Sequence, residues 1–392
     1  MTFQHLVGRP RLDALTGSRG PAALMVFAQH AGESGFLPFV VPSSLAVSFF
    51  FVLSGFVLAY AYFNDRSLGL RFYKARFARI WPPTMLSIVL VLLILPREAY
   101  LPQQLDHYMS GFALLTNVLL LQSLIPIPDF YFALNAVGWS ISAESCFYLV
   151  FPPLNRMLRL HGFRALCLVA LIGFLLTVFT LQLRLPAFDA SAVSQPTWHG
   201  IVYINPVTRL FEFAFGVLAG QFWVETDHWR LKQKVTHFIN IEVRDWLISI
   251  VEVLMIICSF IMLFQSSQFL AGYQTTYTAP LRLLLFQWLS SLPLLFIILL
   301  LAYGQGCLSR IIMCHPLMLR LGELSFGIYL FHQPLMRWVQ WNIYSPASNV
   351  TILKAIPSWS YVFLILSATM CLSVFSHDYL EPKIKQLISK KL

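Results

Sequence analysis

Ten stretches of mostly apolar residues divide the chain, near 15–32, 38–62, 82–100, 138–153, 164–182, 205–224, 246–264, 281–303, 322–342 and 360–376. A helix that crosses a bilayer needs about 20 such residues. In lipid, backbone polar groups must be satisfied within the segment itself, so apolar runs of this length fold as helices. The chain therefore reads as an all-α polytopic membrane protein, a bundle of about ten transmembrane helices. Charged residues make up 11% of it and hydrophobic ones 58%, whereas a soluble domain carries about 25% charged residues. A soluble core is excluded.

The basic residues set the expected topology, because cytoplasmic loops carry the excess of Lys and Arg. With Arg9 and Arg11 inside, span two returns to a loop holding Arg66, Arg71, Lys74, Arg76 and Arg79. If the further apolar segment near 108–125 does not cross, the loops with Arg156, Arg159 and Arg164, with Arg230, Lys232, Lys234 and Arg244, and with Arg310 are cytoplasmic too. The loops around 265–280 and 343–358 carry almost no charge. This arrangement predicts both termini in the cytoplasm and a re-entrant or interfacial segment at 108–125. The tail from 377 to 392, with Lys383, Lys385, Lys390 and Lys391, is suited to anionic lipid head groups. The net charge of +10 is thus spent on topology, and no nucleic acid partner is expected. The first apolar run lacks a cleavage site and reads as an uncleaved span. Six cysteines fall mostly in apolar stretches without metal spacing, so neither a disulfide framework nor a metal site is expected, and the thiols read as buried and inert.

Several ionisable residues sit where lipid makes them costly. In RGPAALMVFAQH, ten residues separate Arg19 from His30. Roughly three helical turns put both on one face, about 16 Å apart along the axis. Intramembrane charges face a polar interior as a rule, which leaves a functional pair or an interfacial arginine with a hydrogen-bonded histidine. In RFYKARFARIWPP, Arg76 and Arg79 lie one turn apart, suited to phosphate or to membrane anchoring, and Pro82 and Pro83 fit the first turn of the next helix. Glu144 lies mid-span in VGWSISAESCFYL, where a carboxyl is protonated, paired with a cation such as Arg19, or lining a polar cavity. Arg209 and Glu212 are spaced to pair, and Gly216 and Gly220 form a close-packing stripe. Ser54 and Gly55 in FFFVLSGFVLA read as packing, and His332 in LGELSFGIYLFHQPL as a core histidine or a supporting one. Any chemistry must run on histidine, carboxylate and arginine, for no nucleotide loop or hydrolase elbow is present.

Taken together and in this order, LTGSRGPAALMVFAQH, FFFVLSGFVLA, FYKARFARIWP, VGWSISAESCFYL, NPVTRLFEFAFG, LGELSFGIYLFHQPL and the closing HDYLEP resemble the membrane-bound acyltransferase 3 family. These are bacterial integral-membrane O-acyltransferases of surface polysaccharides and related glycans. The resemblance covers about 11–384 of what reads as a single domain over 1–392. It implies ten spans in the bacterial inner (cytoplasmic) membrane, and transfer of an acyl group, usually acetyl, from cytoplasmic acyl-CoA to a sugar hydroxyl of a glycan or lipid-linked saccharide. No cofactor would be bound; acetyl-CoA is the donor substrate. By this resemblance His30 and Arg19 are the signature catalytic pair, Glu144 their companion, and Arg76 and Arg79 the acyl-CoA site. His332, Arg209, Glu212 and Ser54 are supporting candidates. The chain departs from many members in having Ser145 after the glutamate and Asp13 farther ahead of Arg19. It also lacks the esterase-like domain some members carry, so it is expected to act alone or with polysaccharide assembly machinery. A transporter or glycan flippase is the competing class, since charges at membrane depth serve carriers as well.

Overall fold

The computed structural model describes residues 11–38, 44–65, 68–100, 107–188, 193–226, 241–270, 277–344 and 357–389, and the regular elements among them are helical. The long helices are α1 (Asp13–Glu33), α2 (Ser44–Tyr62), α3 (Leu70–Ile94), α4 (His107–Val118), α5 (Gly138–His161), α6 (Phe163–Gln182) and α7 (Pro206–Glu225). They continue as α8 (Ile241–Leu270), α9 (Ala279–Tyr303), α10 (Pro316–Tyr344), α11 (Ser358–Val374) and α12 (Glu381–Ser389). Each of the ten apolar stretches lies on a helix over most of its described residues. Among the described residues, six helical stretches are long and apolar enough to cross a membrane: Ser44–Tyr62, Leu70–Ile94, Phe163–Gln182, Gly200–Glu225, Ala279–Tyr303 and Ser358–Leu387. The outward faces of α6 and α8 are apolar, with Leu171, Leu175, Phe179, Leu254, Phe260 and Phe264 all exposed. That is the inverted pattern of a chain solvated by lipid.

The segment near 108–125 holds, among the described residues, no helix long enough to cross a membrane. Helix α4 has 12 residues, about 18 Å of rise against a hydrocarbon core of about 30 Å. Leu120 then adopts a left-handed backbone (φ 57°) and the chain turns back. Its return docks on the start of α5, where Gln122 Nε2 donates to Gly138 O (3.1 Å) and Ser123 N to Ser142 Oγ (3.1 Å).

Two local expectations are corrected. Pro82 and Pro83 lie inside α3, which begins at Leu70 and carries Arg76 and Arg79 on the same helix as the span. Intramembrane helices accommodate proline where tertiary packing holds the helix on either side of it. The cysteines are all free, as expected, but Cys167, Cys258, Cys307 and Cys371 face outward rather than inward. A thiol is apolar enough for a lipid-facing surface. The loop residues Arg230, Lys232 and Lys234, with Arg9, Arg66, Lys390 and Lys391, lie outside the described residues.

Two helix pairs approach closely enough to decide the interior. A Cβ on Gly216 would meet Val52 O at 2.0 Å, and one on Gly55 would meet Phe213 O at 2.1 Å, so α2 and α7 touch backbone to backbone. This is the small-residue packing expected of the Gly216–Gly220 stripe. Helices α1 and α10 meet in the same way, since a Cβ on Gly20 would lie 2.8 Å from Leu321 Cβ and one on Gly322 1.8 Å from Thr16 O, while one on Gly17 would meet Met313 O, just before α10, at 2.0 Å. The glycines flanking Arg19 thus press α1 onto α10, and the two histidines farther along are brought side by side.

Candidate functional site

The wall of the site on α10 is built by one proline. Pro334 has no N–H, so the carbonyl of Leu330 one turn back loses its helical partner. Asn135 Nδ2 takes that place at 2.8 Å. Beside it Gln333 Oε1 accepts from Ala136 N (2.8 Å), and Arg337 Nη1 donates to Leu134 O (2.9 Å). Leu134 is held in a left-handed backbone (φ 58°), a costly conformation for a branched side chain. Three consecutive residues before α5 are therefore clamped to about two turns of α10. Tyr329 completes the clamp through its hydroxyl, 2.6 Å from Ser140 Oγ.

Next to this wall stand the histidines. His332 is fully buried, and its Nδ1 lies 2.9 Å from Ile328 O. A carbonyl only accepts, so His332 Nδ1 carries the proton. In a neutral imidazole the other nitrogen is then an acceptor. His332 Nε2 lies 3.0 Å from His30 Nδ1, so His30 Nδ1–H is the donor. The ring nitrogen left to His30 is Nε2, with a free lone pair. His30 lines a cavity of about 810 Å³. Its walls include Glu33, Asp129, Trp139, His199, Gln333 and Arg337. A tautomer fixed from behind, on a histidine that lines a cavity, is the arrangement a general base needs.

The family model described as an acyltransferase domain matches residues 12–377. The chain belongs to the acyltransferase 3 family. Among relatives, acyltransferase MdmB of Streptomyces mycarofaciens is 29% identical across 84% of this chain and 80% of its own. O-acetyltransferase OatA of Staphylococcus aureus is 23% identical across 96% of this chain, which spans 57% of that relative's length. Protein 2 in the picA locus of Rhizobium radiobacter is 45% identical over 21% of this chain and 44% of its own. No solved structure matches.

Within this family member the sequence-predicted residues divide into three groups. His30 lines the cavity, and the buried His332 stands behind it, 3.0 Å away but outside the lining. Arg19 does not line it. Three turns earlier on α1, Arg19 interacts electrostatically with Arg79, Glu144, Tyr148 and Glu381. Glu144 Oε1 accepts from Ser54 Oγ (2.9 Å) and Tyr148 Oη (2.5 Å), so Ser54 serves a carboxylate while its neighbour Gly55 does the packing. The Arg76 guanidinium lies over Tyr62, Phe72 and Tyr148 at 5.9, 5.9 and 5.7 Å, and its buried Nε has no hydrogen-bond partner. This second cluster thus gathers Arg19, Arg76, Arg79 and Glu144, closed on one side by α12 through the buried Glu381. The tail expected only to meet lipid contributes a carboxylate here.

The third group is sealed. Arg209 Nε and Glu212 Oε2 are 3.0 Å apart with no exposed side-chain surface on either. Arg209 also reaches Ser48 Oγ (3.3 Å) and stacks over Phe51 and Tyr203 at 5.1 and 5.0 Å. No group of metal-ligating side chains large enough to hold an ion occurs among the described residues.

Sequence reasoning passed over Arg337, Gln333, Asp129 and His199. For Arg337 the signal was available, because it is an arginine inside the apolar stretch 322–342 and the argument that picked out Arg19 applies to it equally. Asp129 and His199 lie between spans, where a polar residue costs nothing and draws no notice.

Proposed function

We propose that this acyltransferase carries an acyl group, acetyl in the first instance, from acyl-CoA to a sugar hydroxyl of a surface or exopolysaccharide or its lipid-linked precursor. The proposal places it in the bacterial inner membrane with ten spans and both termini cytoplasmic. The observation that carries it is the relay from Ile328 O through His332 to His30, which leaves His30 Nε2 as a base on the cavity. His30 takes the acceptor proton as the hydroxyl attacks, a contribution of about 10² to 10⁴-fold in general-base catalysis.

The Arg19, Arg76 and Arg79 cluster is assigned to the donor. Guanidinium forks suit phosphate oxygens, and the unpartnered Arg76 Nε is a donor free for them. Glu144, fixed by Ser54 and Tyr148, balances the cluster's charge. The distance between Arg19 and His30, about 16 Å along one helix, suits a donor whose nucleotide is held at one end while a thin thiol arm reaches the other.

The test is incubation of the purified protein in lipid with acetyl-CoA labelled in the acetyl group and a panel of glycans and lipid-linked saccharides. Free thiol appearing together with label on a sugar hydroxyl is the expected result. A panel without transfer, or glycan moved across the bilayer unacetylated, overturns the proposal.

A further inference from the structure

Acyl transfer at His30 requires more than a base. When the acceptor oxygen bonds to the thioester carbonyl carbon, its proton passes to His30 Nε2 and the carbonyl electron pair moves onto oxygen. That oxyanion forms within a few ångströms of His30, and stabilising it is usually the largest single contribution to the rate. Arg19 is absent from the cavity lining. Of the described residues that do line it, Arg337 alone is a lysine or arginine, and it interacts electrostatically with His30.

We infer that Arg337 and Gln333 form an oxyanion-binding site facing His30, and that the clamp on residues 134–136 exists to hold them. The two side chains are one turn apart on α10 and share a face. Each has one end fixed. Arg337 gives Nη1 to Leu134 O, and a guanidinium has further donors on the same plane. Gln333 spends its carbonyl oxygen on Ala136 N, so the end that remains is the amide donor. Two donors with their rotamers locked by backbone groups need little reorganisation when charge develops between them. The left-handed backbone at Leu134 fits this account, since local strain of that kind persists where the surroundings enforce a geometry that function uses. The oxyanion then collapses, the carbonyl re-forms, the C–S bond breaks, and the departing thiolate takes the proton from His30.

This inference rests on the acyltransferase reading, and the experiment separates the two. Purified wild type, Arg337→Met, Arg337→Lys and Gln333→Glu are compared for transfer and for acceptor-independent thioester hydrolysis, with folding followed by thermal unfolding in detergent. Gln333→Glu keeps the oxygen that accepts from Ala136 N while replacing the donor with a like charge, so it tests the site without releasing the clamp. Removing one oxyanion donor costs about 10² to 10³ in kcat. Both Arg337→Met and Gln333→Glu are expected to lose that much in each reaction with KM for the donor unchanged, and Arg337→Lys to recover part of it. Variants that retain kcat, or that lose only acceptor KM, overturn the inference while wild-type transfer keeps the acyltransferase reading intact. A wild type without transfer removes both. If Arg337→Met does not fold, the kcat of Gln333→Glu decides.

Discussion

At His30 the polar side of α1 opens on a cavity of about 810 Å³, whereas on α7 Arg209 and Glu212 close on each other with no exposed surface. Both places put ionisable groups on helices whose neighbours are apolar. At the first, His30 is engaged from behind by His332 and one ring nitrogen is left over. At the second, the charges face each other between Phe51, Tyr203 and Ser48. The difference is one of access. Under the proposed function, Arg209 and Glu212, which have no route to substrate, orient helices, and His30, which lines the cavity, takes part in the reaction.

The sharpest way to break that contrast is His30→Ala, expected to reduce kcat by about 10² to 10⁴-fold while leaving thermal unfolding in detergent unchanged. A variant that unfolds early instead would make His30 a scaffold residue too. Glu212→Ala should do the reverse. Removing one partner of a buried ion pair costs about 3–5 kcal/mol, which would show as a lowered unfolding temperature and poor recovery from the membrane. Replacing both, Arg209→Met with Glu212→Leu, should restore much of that stability and return acyl transfer with it.

A subtler break acts on the packing that brings the histidines together. Gly322→Ala drives a methyl to within 1.8 Å of Thr16 O and must push α1 from α10. Overpacking of this kind costs about 1–3 kcal/mol, and activity should fall with it. Gly111→Ala on α4, where a Cβ meets nothing within 4 Å, is the control and should leave both measurements unchanged. The smallest expected effect is at His332. In His332→Gln the amide oxygen can still accept from His30 Nδ1–H and preserve the tautomer, so kcat should change by less than about tenfold, or about 1.4 kcal/mol. His332→Phe, which cannot accept, should cost more. Equal losses in the two would show that hydrogen-bond acceptance is not what His332 supplies.

Much of the helix layout was legible because its causes are local. Apolar runs set the helices, and the glycines at 55, 216 and 220 announced close packing by their spacing. Pro82 and Pro83 misled because proline marks a helix start in water, while in a bundle neighbouring groups can absorb it. Arg19 and His30 were legible as unusual, but their separation into different clusters was not. Helical periodicity gives the face and the rise; it does not say which other helices approach at each level.

The sequence by itself determined that this chain lives in lipid, which segments are helical, and which family's motifs it carries, because each of these follows from short-range composition and order. Only the tertiary structure decided that His332, some 300 residues on, fixes the tautomer of His30, that Pro334 opens a carbonyl for Asn135, and that Arg337 rather than Arg19 is the arginine lining the cavity with His30. Those facts depend on how α1 and α10 cross and where the segment before α5 turns back. That is set by close contact at Gly20 and Gly322, a property of two helices together that neither one's sequence contains.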